Sequence, residues 1–214
     1  MNLAPGCGTW IACMLVFIAF TLGGILVTVT ILQALFSFLF LLGCLLLLVL
    51  LIFFRDPERM IGEGIVAAAD GVIREITTVQ DPDIGSCTKI STFMNLQNVH
   101  VNRMPLDGKI TNITHQSGTY LPAFMKESWR NERLIITSNT TIGKIKIVLI
   151  AGTLARRIVP YIQKGDMIKK GQRIGLIRLG SRVDVYLPKN KITIHVQQKQ
   201  RLLAGVSTIA AIND

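Results

Sequence analysis

Two patterns of apolar positions divide the chain. From Thr9 to Phe54 nearly every residue is apolar, in the run TWIACMLVFIAFTLGGILVTVTILQALFSFLFLLGCLLLLVLLIFF, broken only by scattered Thr, Ser, Gln and Gly. About 20 apolar residues cross the hydrocarbon core of a bilayer as a helix, so this run predicts two passes. They fall near Trp10 to Val29 and Phe36 to Phe54, with Gly23-Gly24 as a point of bending and the weakly polar stretch from Thr28 to Gln33 as the turn. A single long helix or a re-entrant hairpin meets the same composition. A signal peptide does not, because the run lacks a basic start, a short apolar core and a small-residue cleavage site.

Beyond the junction FFRDPER the period shortens to two. GIVAAADGVIREITTV, KISTFMN, VHVNRMPLDGKITNITHQSG, RLIITSNTTIGKIKIVLIAG and KITIHVQQKQRLLAGVSTIAAI read as short strands punctuated by Asp-Gly, Pro and Gly turn signals. That is the mark of a mainly-β sandwich or barrel rather than of βαβ units, with one helical interruption predicted near Leu121 to Glu127. The segment VPYIQKGDMIKKGQRIGLI, with its KGD and KGQ turns, is similar to the hairpins of biotinyl and lipoyl carrier domains, which fold as flattened barrels. It lacks the exposed lysine tip that carrier function needs. The predicted organisation is therefore a membrane anchor over residues 1–54 and a β domain over 55–214.

Charge follows the same division. No charged side chain precedes Arg55, so the whole formal charge of +10 belongs to the β domain. Two passes return the chain to its starting side, and Arg55, Arg59 and the later basic residues mark that side as cytoplasmic, which implies the cell membrane as location. A basic domain held there is drawn to anionic lipid, each nearby Lys or Arg contributing about 1 kcal/mol. Nucleic acid is the other partner of a basic domain, but interleaved aromatics, zinc spacing and a recognition-helix pattern are all missing. Of four cysteines, Cys7, Cys13 and Cys44 lie in or beside the apolar run and Cys87 in the domain, with no paired spacing and no metal-ligand set, which predicts reduced thiols.

The chemistry concentrates in three segments. IRLGSRVDVYLP, residues 177–188, alternates as a strand with one buried face yet carries Gly180-Ser181 at its centre, where both residues weaken a strand. In NVHVNRMP, alternation puts Val99 and Val101 on one face and His100 with Asn102 on the other. Asp70 follows Ala67, Ala68 and Ala69, small residues that let another segment come close. By contrast Asp107, in PLDGKI, reads as a turn, and His195, between Ile194 and Val196, as an ordinary strand residue. His115, before a glycine-containing loop, is a candidate for the substrate pocket. An Asp, a His and a Ser from separate segments is the triad arrangement, in which the carboxylate orients the imidazole and the imidazole takes the hydroxyl proton. Here the Ser directly follows a Gly within strand-like sequence rather than sitting on a strand-to-helix elbow. Its oxygen is suited to attack the neighbouring carbonyl, since only Gly tolerates the distortion that attack requires.

LGSRVDVYLP, NVHVNRMPLDG, AADG, the NER of residues 131–133 and IAGTLARRIVPYIQKGDMIKKGQRIGLI occur in order. Together they resemble the phosphatidylserine decarboxylase family in its short, membrane-anchored form, archaetidylserine decarboxylases included. The resemblance covers almost all of residues 53–212. It implies a proenzyme that cuts itself between Gly180 and Ser181 into a larger N-terminal β chain, residues 1–180, and a small α chain, residues 181–214. Ser181 becomes a covalent pyruvoyl group, the cofactor that takes the substrate amine as a Schiff base. Ser181, His100 and Asp70 are the catalytic residues implied. The substrate would be a serine phospholipid, with Arg156, Arg157 and Arg182 as candidates for its phosphate, and the assembly a homodimer. Two departures stand out: Gly180-Ser181 is followed by Arg182 where many long members have Thr, and Arg103 in HVNRMP replaces the second histidine of their HxxHMP. Two other functions fit the residues: a non-enzymatic anchored adaptor with a carrier-like barrel, and a membrane serine hydrolase that does not cut itself.

Overall fold

The computed structural model describes residues 2–29, 31–119, 130–152, 157–178 and 181–213. The chain divides into two compact units, Met1–Pro57 and Glu58–Asp214.

In the first unit, α1 (Gly8–Val27) and α2 (Ile31–Phe53) form an antiparallel pair of helices, each long and apolar enough to cross a membrane. Neither end of α1 carries a charged residue. At its C-terminus the Thr28 amide and hydroxyl both donate to the Gly24 carbonyl, satisfying acceptors the helix would otherwise leave open. The turn is shorter than the sequence predicts. α2 resumes at Ile31, so Leu32 and Gln33 belong to the helix, because neither residue blocks helical backbone and nothing polar competes for their amides. Gly24 makes room between the helices, since a Cβ there would stand 2.4 Å from the ring of Phe36. Phe36 also meets Phe20 edge to face, with ring centroids 6.1 Å apart. Small residues that let backbones approach are how helices pair where the surroundings are as apolar as the side chains.

The second unit is mainly β, with fourteen strands among the described residues. They are β1 (Ile65–Val66), β2 (Gly71–Asp81), β3 (Gly85–Met94), β4 (Val101–Arg103), β5 (Gly108–Gln116), β6 (Arg133–Thr140), β7 (Gly143–Ala151), β8 (Ile158–Pro160), β9 (Met167–Ile168), β10 (Arg173–Ile177), β11 (Ser181–Pro188), β12 (Ile192–Ile194), β13 (Arg201–Leu202) and β14 (Thr208–Ile212). Eight of them form a curled antiparallel sheet in the order β13-β2-β3-β11-β7-β6-β5-β9, and two smaller sheets run β4-β10-β8 and β1-β14-β12. In the large sheet the register lines up Leu134, Leu149, Val183 and Thr92 across four strands. These join Ile73, Ile90, Ile136 and Ile147 on the core face, all buried. The opposite face carries the intervening residues of the same strands, Arg182, Asp184 and Tyr186 among them. The helical interruption expected at 121–127 lies outside the described residues.

One expectation is corrected. The alternating run from Ile177 to Leu187 is not a single strand broken at its middle: Ile177 ends β10 in a small sheet and Ser181 begins β11 in the large one. Alternation is a local signal and is preserved when a chain passes from one sheet to another, so it cannot show the change.

Candidate active site

Ser181 is the first residue of β11, Cα-paired with Met94 at the end of β3 and with Ala151 at the end of β7. It is wholly buried, and its Oγ meets no hydrogen-bond partner among the described residues. An orphaned buried hydroxyl is costly, by about 1–3 kcal/mol, and is kept only where something else requires it.

His100 is tied to this place from two directions. Only the Asn95–Asn98 turn and Val99 separate it from Met94, the partner of Ser181, and its carbonyl accepts from the amide of Ile177, four residues before Ser181. It is fully buried, as is Asn102, which the strand alternation places with it. Nδ1 of His100 lies 2.8 Å from the carbonyl oxygen of Asn98. A carbonyl can only accept, so the proton sits on Nδ1, and in the neutral ring the lone pair is left on Nε2. The backbone of the turn thus fixes the tautomer that can act as a base.

Asp70 is buried at the start of β2 beside the alanine run, and the close approach predicted for that run is present. Ala68 accepts from the Arg103 amide of β4 at 2.8 Å, and Ala67 accepts from Gly205 at 2.8 Å. Gly71 permits a second approach, because a Cβ there would stand 2.1 Å from the Phe93 carbonyl oxygen. The carboxylate of Asp70 is held by three donors. Arg59 grips it bidentately at 2.5 and 2.9 Å, and the Ala204 amide donates at 2.7 Å; Arg59 also donates to the Ala204 carbonyl at 2.8 Å. Arg59 and Asp70 side chains retain only 9% and 4% of their exposure. The tautomer-fixing contact at His100 Nδ1 therefore comes from Asn98, while Asp70 supplies buried negative charge neutralised by Arg59. The sequence reading missed Arg59, Asn98 and Ala204. Arg59 carried a usable signal: an aspartate bound for burial needs a cation, and Arg59 is the last basic residue before it.

Arg103 is buried and donates to the Gly171 carbonyl at 3.0 Å. The remaining predicted residues spread out. Arg182 points to the sheet face opposite Ser181, where it pairs with Asp184 at 2.7 and 2.8 Å and reaches Ser91 at 3.2 Å. Burial works against its charge, but Asp184 outweighs that and holds its pKa above the ordinary value. His115, on β5, is three strands away from Ser181 in the sheet order, roughly 14 Å at ordinary strand spacing, and bonds Glu132 at 3.0 Å. Arg157 is exposed, its carbonyl accepting from the Arg178 amide. Arg156 and Gly180 lie outside the described residues. Asp107 is the turn residue expected, accepting from the Lys170 amide at 2.6 Å, a contact that lowers its pKa.

A family model described as phosphatidylserine decarboxylase matches residues 46–210. A phosphatidylserine decarboxylase proenzyme of Streptomyces avermitilis is 47% identical over 73% of this chain and 71% of its own length. That of Thermobifida fusca is 49% identical over 72% and 69%. A provisionally named archaetidylserine decarboxylase proenzyme of Methanosarcina barkeri is 47% identical over 76% and 77%. With the motif-bearing strands and the buried serine in place, these matches establish that the chain belongs to the phosphatidylserine decarboxylase family.

Proposed function

We propose that the chain is a self-processing, membrane-anchored decarboxylase that converts phosphatidylserine to phosphatidylethanolamine and carbon dioxide. The observation that carries this reading is Ser181: a fully buried hydroxyl with no partner among the described residues, at a strand start directly after a glycine. Close to it in the fold is an imidazole whose Nδ1 is fixed as donor. His100 Nε2 takes the hydroxyl proton and Oγ adds to the Gly180 carbonyl carbon. The C–N bond breaks, the proton passes to the nitrogen, and amide becomes ester. Removal of the Ser181 Cα proton expels Gly180 as a carboxylate, and water then releases the nitrogen of residue 181 as ammonia, leaving a ketone. Asp70, paired with Arg59, adds buried charge that favours the imidazolium forming on the way.

The pyruvoyl group derived from Ser181 supplies an electron sink for the carbon that loses carbon dioxide. His100 returns a proton to that carbon, and the burial of His100 and Ser181 supports the exclusion of water. The names of relatives divide between phosphatidylserine and archaetidylserine, and the serine head group is common to both.

α1 and α2 act as a membrane hairpin: their outward residues, such as Val16, Leu26 and Ile31 at 70%, 79% and 85% exposure, are apolar and suited to lipid. The β domain then lies at the cytoplasmic face of the cell membrane, against anionic lipid, as a homodimer of cleaved α and β chains. The positive-φ glycines Gly165 and Gly171 support a carrier-like form for the β8-to-β10 region.

Intact-mass analysis with a denaturing gel tests the function. The purified protein is expected to release a fragment of about 34 residues with a blocked, hydroxylamine-reactive N-terminus, and Ser181→Ala to give one uncut chain without activity. Wild-type protein that stays full-length and still decarboxylates phosphatidylserine would overturn it.

A further inference from the structure

A cavity of about 530 Å³ opens at the end of the large sheet where Ser181 begins β11. Its walls come from Gly71 and Val72 of β2, the turn residues Asn95, Gln97 and Asn98, and the Arg201–Leu203 segment. The turn is rigid: Asn98 donates its amide to the Asn95 carbonyl at 2.9 Å, and the Asn95 amide donates to Asn98 Oδ1 at 2.8 Å. Its Asn98 carbonyl is the group that fixes the His100 ring, so one turn forms both a cavity wall and the support of the proposed base. Arg201 is Cα-paired with Val72 and Leu202 with Gly71, which sets this arginine one residue from the segment that holds Asp70.

Three properties identify an occupant. The guanidinium of Arg201 has no ion-pair or hydrogen-bond partner among the described residues, and the same is true of the side-chain amide of Asn95. Both residues are exposed, and two side-chain donors that no described protein group occupies line one cavity. Arg suits a phosphate oxygen pair better than any other side chain, since its planar fork donates two parallel hydrogen bonds. Leu203 in the wall is 51% exposed, giving the cavity an apolar edge, and Leu96, in the turn between the lining residues Asn95 and Gln97, is 53% exposed. The volume is ordinary for a small-molecule pocket and takes a glycerophosphoserine unit with room to spare.

We infer that this cavity binds the phosphodiester of the substrate lipid, with Arg201 as the phosphate ligand, Asn95 as a second donor, and Leu96 and Leu203 set into the lipid at the mouth. The inference rests on the decarboxylase reading. It assigns the phosphate to none of Arg156, Arg157 or Arg182, and places its ligand on the same cleaved chain as Ser181.

The test uses full-length protein in mixed micelles, with self-cleavage followed on gels and carbon dioxide release followed with three compounds: phosphatidylserine, glycerophosphoserine and free serine. Arg201→Gln is expected to cut itself like wild type, because cleavage involves no lipid. Its KM should rise about tenfold or more for both phosphate-bearing compounds, with kcat changed less than about threefold and with free serine unaffected. Inorganic phosphate should inhibit wild type competitively and the variant at least about tenfold less. Arg201→Lys and Asn95→Ala should show intermediate KM values, and they carry the same comparison should Arg201→Gln fail to fold. An unchanged KM in cleaved, active variants overturns the inference. So does a loss confined to kcat, or a KM change seen with phosphatidylserine but not glycerophosphoserine, which would mean that Arg201 meets the surrounding lipid surface instead. Failure of wild type to cleave or to decarboxylate any of the compounds would sink the decarboxylase reading itself, a separate result.

Discussion

At the scale of single residues, the group most exposed to error is Asp70, because its charge is buried and its compensation comes largely from one side chain. Arg59→Gln removes the cation and leaves the carboxylate with the Ala204 amide alone. Breaking one side of a buried ion pair typically costs about 3–5 kcal/mol, and the variant is expected to lose stability of that order in urea titrations at neutral pH. Arg59→Lys, which keeps the charge but not the fork, should lose less. A change below about 1 kcal/mol for Arg59→Gln would mean that the pair behaves as an exposed surface bridge. The residue types were legible in the sequence, since Asp70, His100 and Ser181 stand out by their neighbours. Their partners were not: the Asn98 carbonyl has no side-chain signature, and Ala204 contributes through a backbone amide 134 residues away from Asp70.

Among the elements, strands were legible where alternation was sustained, and the charge-free run made both helices legible. What alternation could not reveal was assignment to a sheet, so the passage from β10 to β11 read as one strand, and the curl that brings Gly71, Met94 and Ser181 to one end was invisible. The same limit hid the buried charge that joins strand ends at the opposite edge. Lys146 of β7 pairs with Asp81 of β2 at 2.7 Å and with Asp83 at 2.8 Å, its own side chain 10% exposed. Burial opposes the ammonium, but the hydrogen bonds it donates to Asp81 and Asp83, with their charges, outweigh that and raise its pKa above 10.5. The hydrogen bond from Lys146, with its charge, lowers Asp83 below 3.8. The signs give two edges: the lysine's contribution is complete below pH 10.5 and fades as pH rises through its raised value. The Asp83 contribution is complete above 3.8 and fades as pH falls through its lowered value. Lys146→Met should therefore cost about 3 kcal/mol near neutrality by stranding Asp81, whereas Asp83→Asn, at an exposed site, should cost under about 1 kcal/mol. Thermal unfolding from about pH 2 to about pH 12 checks both edges and both costs; equal losses from the two variants would contradict this assignment.

For the whole molecule, the two proposed reactions place opposite demands on the surroundings. Self-cleavage needs only groups already packed within the β domain, so neither lipid nor ionic strength enters its rate. Decarboxylation needs a head group drawn from a membrane, and here the +10 charge and the anchor act together. In the proposed reading the anchor raises local concentration, while attraction to anionic lipid would hold the β domain at the surface. That attraction reaches about 10 Å at 0.1 M salt and only about 3 Å at 1 M. In lipid nanodiscs containing anionic lipid, raising salt over this range should leave the cleavage half-time unchanged within about twofold. The apparent KM for phosphatidylserine should rise several-fold in the same samples, and the rise should shrink when the discs hold zwitterionic lipid besides the substrate. A cleavage rate that tracks salt as steeply as decarboxylation would show that the proenzyme's own cutting depends on the membrane surface. The anchor would then be part of the maturation machinery rather than a means of reaching substrate.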